Sequence, residues 1–203
     1  TIDALNQATI VPFRVRAGDD ASCLNLYRPD RPRILGAPDA LVRRGGFPFA
    51  ATAARTQDEK QNPWVLLTKA LPDGAVPAIG DYNTVVWLLH RGLGQDLPIT
   101  DDRGRTVRLR IVGLLAGSVF QGELIIAEPW FVRLFPTLSG YRFFLIEAPE
   151  AASAQLSMGL ETDLGDYGFD ATSAVDRLRR YLAVENAYLS TFHVLGGLGM
   201  VLG

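Results

Sequence analysis

The chain has 203 residues, of which 48% are hydrophobic and 21% charged, and its formal net charge is -2. This length allows one large domain or two small ones, with a core that needs no disulfide or metal. The ordinary apolar fraction excludes global disorder, and the balanced charge removes the electrostatic basis for nucleic-acid binding, which needs a clustered excess of Lys and Arg. Two histidines and one cysteine are too few for a Cys/His zinc site within one chain.

The N-terminal third contains few regular patterns. Thr9–Arg16 alternates between apolar and polar side chains, which predicts a half-buried strand, and Pro12 within it indicates an edge strand or a strand start. Residues 28–48 contain four prolines and are predicted to be irregular, apart from one short helix from Pro38 to Arg44. Residues 50–62 are small and polar, and they are predicted to form a flexible surface loop.

The middle of the chain is more regular. Val76–Ile79 predicts a short buried strand, and Asp81 is a good N-cap for an amphipathic helix over Tyr82–His90. A β-hairpin is then predicted, in which Gln95–Thr100 pairs with Arg105–Leu115. The next predicted elements are a buried strand, a short helix that begins with a proline, and a further strand, at Leu124–Ala127, Pro129–Phe135 and Tyr141–Glu147.

Two helices are predicted in the C-terminal part. Pro149–Gly165 is amphipathic, and a longer helix begins at Ser173, which is placed to cap it. The first half of this longer helix has one apolar stripe, whereas Tyr188–Gly203 (YLSTFHVLGGLGMVLG) is apolar all round and has no formal charge while His193 is neutral. Such a change predicts a helix that leaves a protein surface and enters a membrane. The alternative is a buried C-terminal core helix.

The apolar run has two further properties. It is 16 residues long, shorter than the roughly 20 residues that a membrane span needs. It also contains clustered glycines, which destabilise a soluble helix but let membrane helices approach closely. These glycines are Gly196, Gly197, Gly199 and Gly203. At the other end of the chain, Thr1–Pro12 lacks the basic region and apolar run of a signal peptide.

Glu185–Gly203 resembles the entry into a transmembrane helix in FtsX-like permeases of ABC transporters. The middle of the chain resembles the extracytoplasmic domains of MacB-like and LolC/LolE-like permeases, which have a Gly, a short strand, a Gly turn and a strand that ends in Val-Gly. The resemblance covers roughly Val76–Gly203, and the N-terminal third has no counterpart. The matching segments are Gly94–Ile99, Gly104, Arg108–Leu115, Ser118–Gly122 and Phe131–Pro136.

This resemblance implies an α+β fold with a porter-like α/β sandwich part, an inserted strand-rich subdomain and a long C-terminal helix. Residues 1–187 would be the extracytoplasmic domain, and residues 188–203 the start of a transmembrane helix. Within the domain, subdomain A would comprise about residues 1–71 and 140–187, and the inserted subdomain B about residues 72–139. The implied function is to transmit ATP-driven motion from the membrane helices and to contact cargo or partner proteins, without chemistry in the domain itself.

The resemblance also implies a location and partners. The location is the bacterial inner (plasma) membrane, with the domain facing the periplasm or extracytoplasmic side. The partners are a cytoplasmic ABC ATPase subunit, a second permease subunit in a dimer, and a periplasmic adaptor or lipoprotein, with no nucleic acid. No catalytic residue, cofactor or metal is predicted.

Candidate catalytic residues are few. His90 and His193 lack a metal-ligating partner one helical turn away, and Cys23 is interpreted as a buried hydrophobe without a nucleophile signature around it. Asp101 and Asp102 are interpreted as a hairpin turn in preference to a catalytic carboxylate pair. The chain has no P-loop and no Gly-x-Ser-x-Gly elbow, so any ATP hydrolysis belongs to another chain.

Two alternative hypotheses remain from the residues alone. One is a soluble small-ligand-binding module whose apolar pocket is lined by aromatic side chains. The proposed lining residues are Trp64, Trp87, Trp130 and Tyr141. The other is a small hydrolase with a dispersed site, which would require a carboxylate or hydroxyl with a strongly shifted pKa in a cleft.

Overall fold

A computed structural model describes residues 5–18 and 32–179 of the chain. The fold is α+β, as predicted, with a mixed sheet and short helices. The chain divides into two compact units, of which one is Thr9–Glu147 and the other combines Thr1–Ala8 with Ala148–Gly203. The partition into two subdomains that the sequence predicts, near residues 71 and 139, stays a prediction.

The larger unit is built on a sheet that has eight strands in the described part of the chain, in the order β3-β6-β4-β7-β2-β1-β8, with β5 also paired to β6. The strands are β1 (Thr9–Arg16), β2 (Arg33–Ala37), β3 (Phe49–Thr52), β4 (Val76–Asp81), β5 (Asp96–Thr100), β6 (Thr106–Leu115), β7 (Glu123–Ala127) and β8 (Phe143–Glu147).

Two strand pairs at the centre of the sheet are parallel, namely β2 with β7 and β4 with β6, and the other pairs are antiparallel. Strands β3 and β5 pair with different parts of β6: β3 pairs near its C-terminal end, at Gly113–Leu115, and β5 pairs with Thr106–Arg110. The ten-residue β6 is therefore the strand that joins the β5–β6 hairpin to the rest of the sheet.

Short helices connect the strands of this unit. They are α1 (Asp39–Arg44), α2 (Gln57–Gln61), a 3₁₀ helix at Pro63–Thr68, a π-helical turn at Thr84–Leu88 and α3 (Glu128–Leu134). Local chemistry fixes several of their starts. Thr56 and Glu59 form a reciprocal capping box at the start of α2, and a proline occupies the first turn of α3, where its missing N–H costs nothing.

The core of the larger unit includes an aromatic cluster around two fully buried rings, Trp64 and Phe120, whose centroids lie 6.4 Å apart. The Trp64 Nε1–H donates to the Gly46 carbonyl at 2.6 Å, so its polar atom is satisfied inside the core. Aliphatic residues of the central strands pack with helix α3 and the π-helical turn in a second cluster, whose members include Val85, Leu89, Leu109, Ile111 and Phe131.

The smaller unit contains α4 (Glu150–Leu164), a 3₁₀ turn at Gly165–Tyr167 and helical residues 174–179. Leu156 and Leu160 are the buried apolar residues of α4. The Asp176 N–H donates to the Ser173 Oγ at 3.0 Å, which is the predicted cap of the C-terminal helix. The predicted start of a transmembrane helix at residues 188–203 lies outside the described residues, and no helix within them is long and apolar enough to cross a bilayer.

Most strands and helices agree with the sequence predictions, including β1 and α1, but β2, β3 and α2 do not. Strand β2 lies where an irregular segment was predicted, and β3 and α2 occupy much of the predicted loop at residues 50–62. These elements are four or five residues long, too short to produce a recognisable hydrophobic period. Pro12 pairs with Phe144 of β8, whereas β2 pairs with Arg14–Arg16, so Pro12 lies in the first half of β1, where the strand has one paired neighbour. This position agrees with the prediction of an edge strand or a strand start.

Candidate functional site

An exposed apolar strip follows strand β4 in the larger unit. Trp87 is 68% exposed and Leu88 45%, and Tyr82 and Leu93 are also exposed. We refer to these four residues as the Trp87 strip. All four side chains are thus exposed within residues 82–93. Exposed apolar surface is characteristic of interaction sites, so we take the strip as the candidate functional site of the described chain.

The start of the strip is anchored by a buried carboxylate at the end of β4. Asp81 is fully buried and accepts three hydrogen bonds: Oδ1 from the Asn83 N–H at 3.0 Å, and Oδ2 from the Ser118 N–H at 2.8 Å and the Ser118 hydroxyl at 3.0 Å. The first bond caps the helical segment, as the sequence predicts for Asp81. The other two tie the segment to the loop between β6 and β7.

The π-helical turn explains why Trp87 and Leu88 point outward. The Leu89 N–H donates to the Thr84 carbonyl at 2.9 Å, which closes a wider turn than an α-helix has. Thr84 is itself held in place, since its Oγ1 accepts from the Gly122 N–H at 2.7 Å. Val85 and Leu89 are buried in the core cluster and Val86 packs against it, whereas Trp87 and Leu88 face solvent. Turns of this kind occur often at functional sites.

The end of the strip is anchored to the β5–β6 hairpin. The Arg91 Nε donates to the Asp96 carbonyl at 3.1 Å, and the Gly94 N–H donates to the Ile111 carbonyl at 2.8 Å. His90, between these anchors and the turn, has a positive φ of 51°. The strip is therefore fixed to the sheet at both ends and presents its apolar side chains on a defined backbone.

Four charged side chains form a network on the neighbouring hairpin and the loop before β4. The Arg110 Nη2 lies 2.6 Å from the Asp73 Oδ2, and its Nε lies 2.6 Å from the Asp96 Oδ1. Arg108 pairs with the same two carboxylates, at 3.3 Å and 2.9 Å. Hydrogen bonds from Arg110 hold the pKa of Asp73 and of Asp96 below the ordinary value, and these carboxylates raise the pKa of Arg110. We call these residues the Asp73–Asp96 network.

Asp101 and Asp102 serve the hairpin turn. The Asp101 Oδ1 accepts from the N–H groups of Arg103 and Arg105, and its Oδ2 accepts from the Arg105 guanidinium at 2.9 Å and 2.7 Å. Burial alone would raise the pKa of Asp101, but the hydrogen bonds from Arg105 and Arg103 outweigh it and lower the pKa. Asp102 instead accepts from the N–H of Thr137 at 3.1 Å. The two carboxylates thus have separate partners: Asp101 closes the hairpin turn, and Asp102 ties the turn to the loop after α3.

Of the other candidate catalytic or metal-ligating residues, the structure describes only His90. His90 is exposed, whereas Cys23 and His193 lie outside the described residues. Within residues 5–18 and 32–179, no three Asp, Glu, His or Cys side chains are grouped as metal ligands.

The four aromatic residues considered for a ligand pocket lie in different surroundings. Trp64 is in the aromatic core, Trp87 is in solvent, and Trp130 lies under the Arg133 guanidinium at 5.6 Å. Tyr141 contacts Arg14, whose Cζ lies 5.1 Å from its ring.

A sequence pattern that indicates the Trp87 strip was not considered when Trp87 was assigned to a ligand pocket. Residues 85–89 are five consecutive apolar side chains, VVWLL, in a predicted helix. A helix that packs on one side cannot bury five successive residues, because they point in all directions around its axis. Some of them must therefore be exposed, and only the packing shows that these are Trp87 and Leu88.

Comparisons with known proteins give one solved structure to report. No family model matches the chain, and no curated protein matches it. The chain is similar to the extracellular domain of the noncanonic ABC-type transporter YknZ from Gram-positive bacteria, with 9% identity and a TM-score of 0.37. The match covers 77% of this chain and 76% of that one.

Proposed function

We propose that this chain is the extracytoplasmic domain of an ABC transporter permease of the FtsX/MacB/Lol type. The observation that carries the proposal is the apolar, uncharged run Tyr188–Gly203, which follows a sequence with the pattern of an amphipathic helix. Such a run is characteristic of a helix that passes from a water-soluble domain into a bilayer. The cap at Ser173 and the helical residues 174–179 support a helix that leads toward this run.

In this function the domain transmits motion and contacts other proteins. ATP binding and hydrolysis by a cytoplasmic ABC ATPase would move the membrane helices, and the domain would carry that motion to the extracytoplasmic side. The larger unit suits this task because β4 and β7 are buried along their whole length, and a densely packed interior transmits strain. The further proposed partners are a second permease subunit and a periplasmic adaptor or lipoprotein.

The Trp87 strip is the surface that we assign to contact with cargo or a partner protein. Aromatic side chains are enriched at the centres of protein interfaces, where they bury a large apolar area. The strip is anchored at Asp81 and at Arg91, so little conformational entropy would be lost when it is covered.

Cysteine labelling of the full-length protein tests the proposed location. In a background in which Cys23 and any other cysteines are replaced, Gln61→Cys places one thiol on an exposed position of α2. The protein is produced with its ATPase in bacterial cells, and a membrane-impermeant maleimide is added before or after lysis. We expect Gln61→Cys to be labelled in cells whose inner membrane is intact, and the protein to stay in the membrane fraction after carbonate extraction.

The matched control is a cysteine on the surface of the ATPase subunit, which must react only after lysis. If Gln61→Cys also reacted only after lysis, or if the protein were found in the soluble fraction, the proposed function would be wrong.

A further inference from the structure

Asp73 is followed by Gly74, and this is the one Asp-Gly pair in the sequence. In such a pair the Gly backbone nitrogen can attack the Asp side-chain Cγ, because no Cβ shields it. A C–N bond forms, the carboxyl hydroxyl and the amide proton leave as water, and a cyclic succinimide results. Water then reopens the ring at either carbonyl, which gives aspartate or isoaspartate.

The pair lies where water can reach it. Asp73 and Gly74 are both exposed, in the loop between the 3₁₀ helix and β4, and the Asp73 side chain is 39% exposed. Gly74 has a φ of 72°, and the space around its Cα is open. Neither burial nor crowding therefore protects this peptide bond.

Both reacting groups are instead held by hydrogen bonds. The Asp73 Oδ2 accepts from the Arg110 Nη2 at 2.6 Å, and its Oδ1 accepts from the Ala75 N–H at 3.3 Å. The Asp73 carbonyl accepts from the Arg108 Nη2 at 2.7 Å. The attacking group is engaged as well, because the Gly74 N–H donates to the Leu71 carbonyl at 3.0 Å.

We propose that Asp73–Gly74 is a latent isomerisation site and that Arg108 and Arg110 keep it unreacted. Ring closure expels the carboxyl hydroxyl as water, so it proceeds from the protonated acid, whereas the two guanidinium groups favour the carboxylate. They also fix the side chain and the carbonyl of Asp73 from β6, which prevents the rotation that would bring Cγ onto the Gly74 nitrogen. The lowered pKa of Asp73 agrees with this geometry.

The reaction would have a structural consequence. Isoaspartate lengthens the backbone by one carbon at the entry to β4 and relocates the carboxylate that Arg110 holds. The Asp73–Asp96 network would lose the partner that lies before β4, while Asp96 would remain with the hairpin.

The test compares the wild type with R108Q/R110Q during incubation of the intact chain at mildly acid pH. Isoaspartate is measured by an isoaspartyl methyltransferase assay, and its position by peptide mapping. Loss of both guanidinium groups lets the pKa of Asp73 return toward its ordinary value, which raises the protonated fraction, and it frees the side chain and the carbonyl of Asp73 to rotate. We therefore expect several-fold faster isomerisation at Asp73 in R108Q/R110Q, while its circular dichroism stays that of a folded protein.

R105Q is the matched control, since it removes an arginine from the Asp101 turn, where no glycine follows the aspartate. It must leave the rate at Asp73 unchanged. A second measurement does not depend on the variants: the wild type in urea must isomerise faster than the folded wild type. Equal rates in folded and unfolded wild type, or equal rates in wild type and folded R108Q/R110Q, would overturn the proposal.

Discussion

At the scale of single residues, Trp64 and Trp87 show how one residue type serves two purposes. Trp64 is fully buried, donates its indole N–H to the Gly46 carbonyl and contacts Phe120 edge-on. Trp87 is 68% exposed and stands on a turn whose buried residues are Val85 and Leu89. Trp64 therefore contributes to stability, whereas Trp87 adds little to the fold and is available for contact.

The two tryptophans give a direct comparison by substitution. We expect Trp64→Ala to lower the free energy of unfolding by about 3–5 kcal/mol, because it leaves a large cavity in the aromatic cluster. Trp87→Ala should change it by less than about 0.5 kcal/mol, as is usual for exposed positions. Urea denaturation followed by circular dichroism measures both. A large loss of stability in Trp87→Ala would show that the strip is a structural element and would remove it as a contact surface.

At the scale of elements, the joint between β4 and the π-helical turn depends on a glycine. A Cβ added at Gly80 would lie 2.6 Å from the Val85 Cγ2 and 2.8 Å from the Leu124 Cδ2. Both neighbours are fully buried and cannot move into solvent. The close approach of the turn to β4 and β7 thus requires the absence of a side chain at this position.

Gly80→Ala should therefore destabilise the protein by about 1–3 kcal/mol, as overpacking of a dense core does. The control is Gly92→Ala, whose new Cβ would come no closer than 3.8 Å to the Gln95 side chain, and we expect it to be close to neutral. Thermal unfolding of the two variants beside the wild type measures the difference. Equal melting temperatures for the two variants would contradict the assigned role of Gly80.

At the scale of the whole molecule, the sheet and its packing lie within one unit. All eight strands described belong to Thr9–Glu147, and so do both core clusters. The smaller unit contributes α4, whose buried apolar residues are Leu156 and Leu160. Since a domain folds independently when it has its own hydrophobic core, the larger unit meets the condition for folding alone.

We expect a fragment limited to Thr9–Glu147 to fold cooperatively. Its NMR spectrum should have dispersed amide signals, and its thermal unfolding should be a single transition. The full chain measured under the same conditions is the reference. A fragment with collapsed signals and no transition would show that the sheet needs the chain ends for its stability.

The sequence by itself was enough to predict those elements whose position depends on residues that are close together in the chain. Alternation located β1 and β6, the carboxylate of Asp81 located the helical start after β4, and Ser173 located the cap of the last described helix. The hairpin turn around Asp101 was predicted on the same basis. Each of these depends on residues within a few positions of one another, where chain geometry alone determines which groups meet.

Contacts between residues that are far apart in the sequence could be identified only from the tertiary structure. Arg110 meets Asp73 across 37 positions of the chain, Ser118 meets Asp81 across the same separation, and β3 and β5 share one strand as partner. Packing also determined that Trp64 is buried and Trp87 exposed. A local pattern records how apolar a side chain is, but its burial depends on which distant segments pack around it.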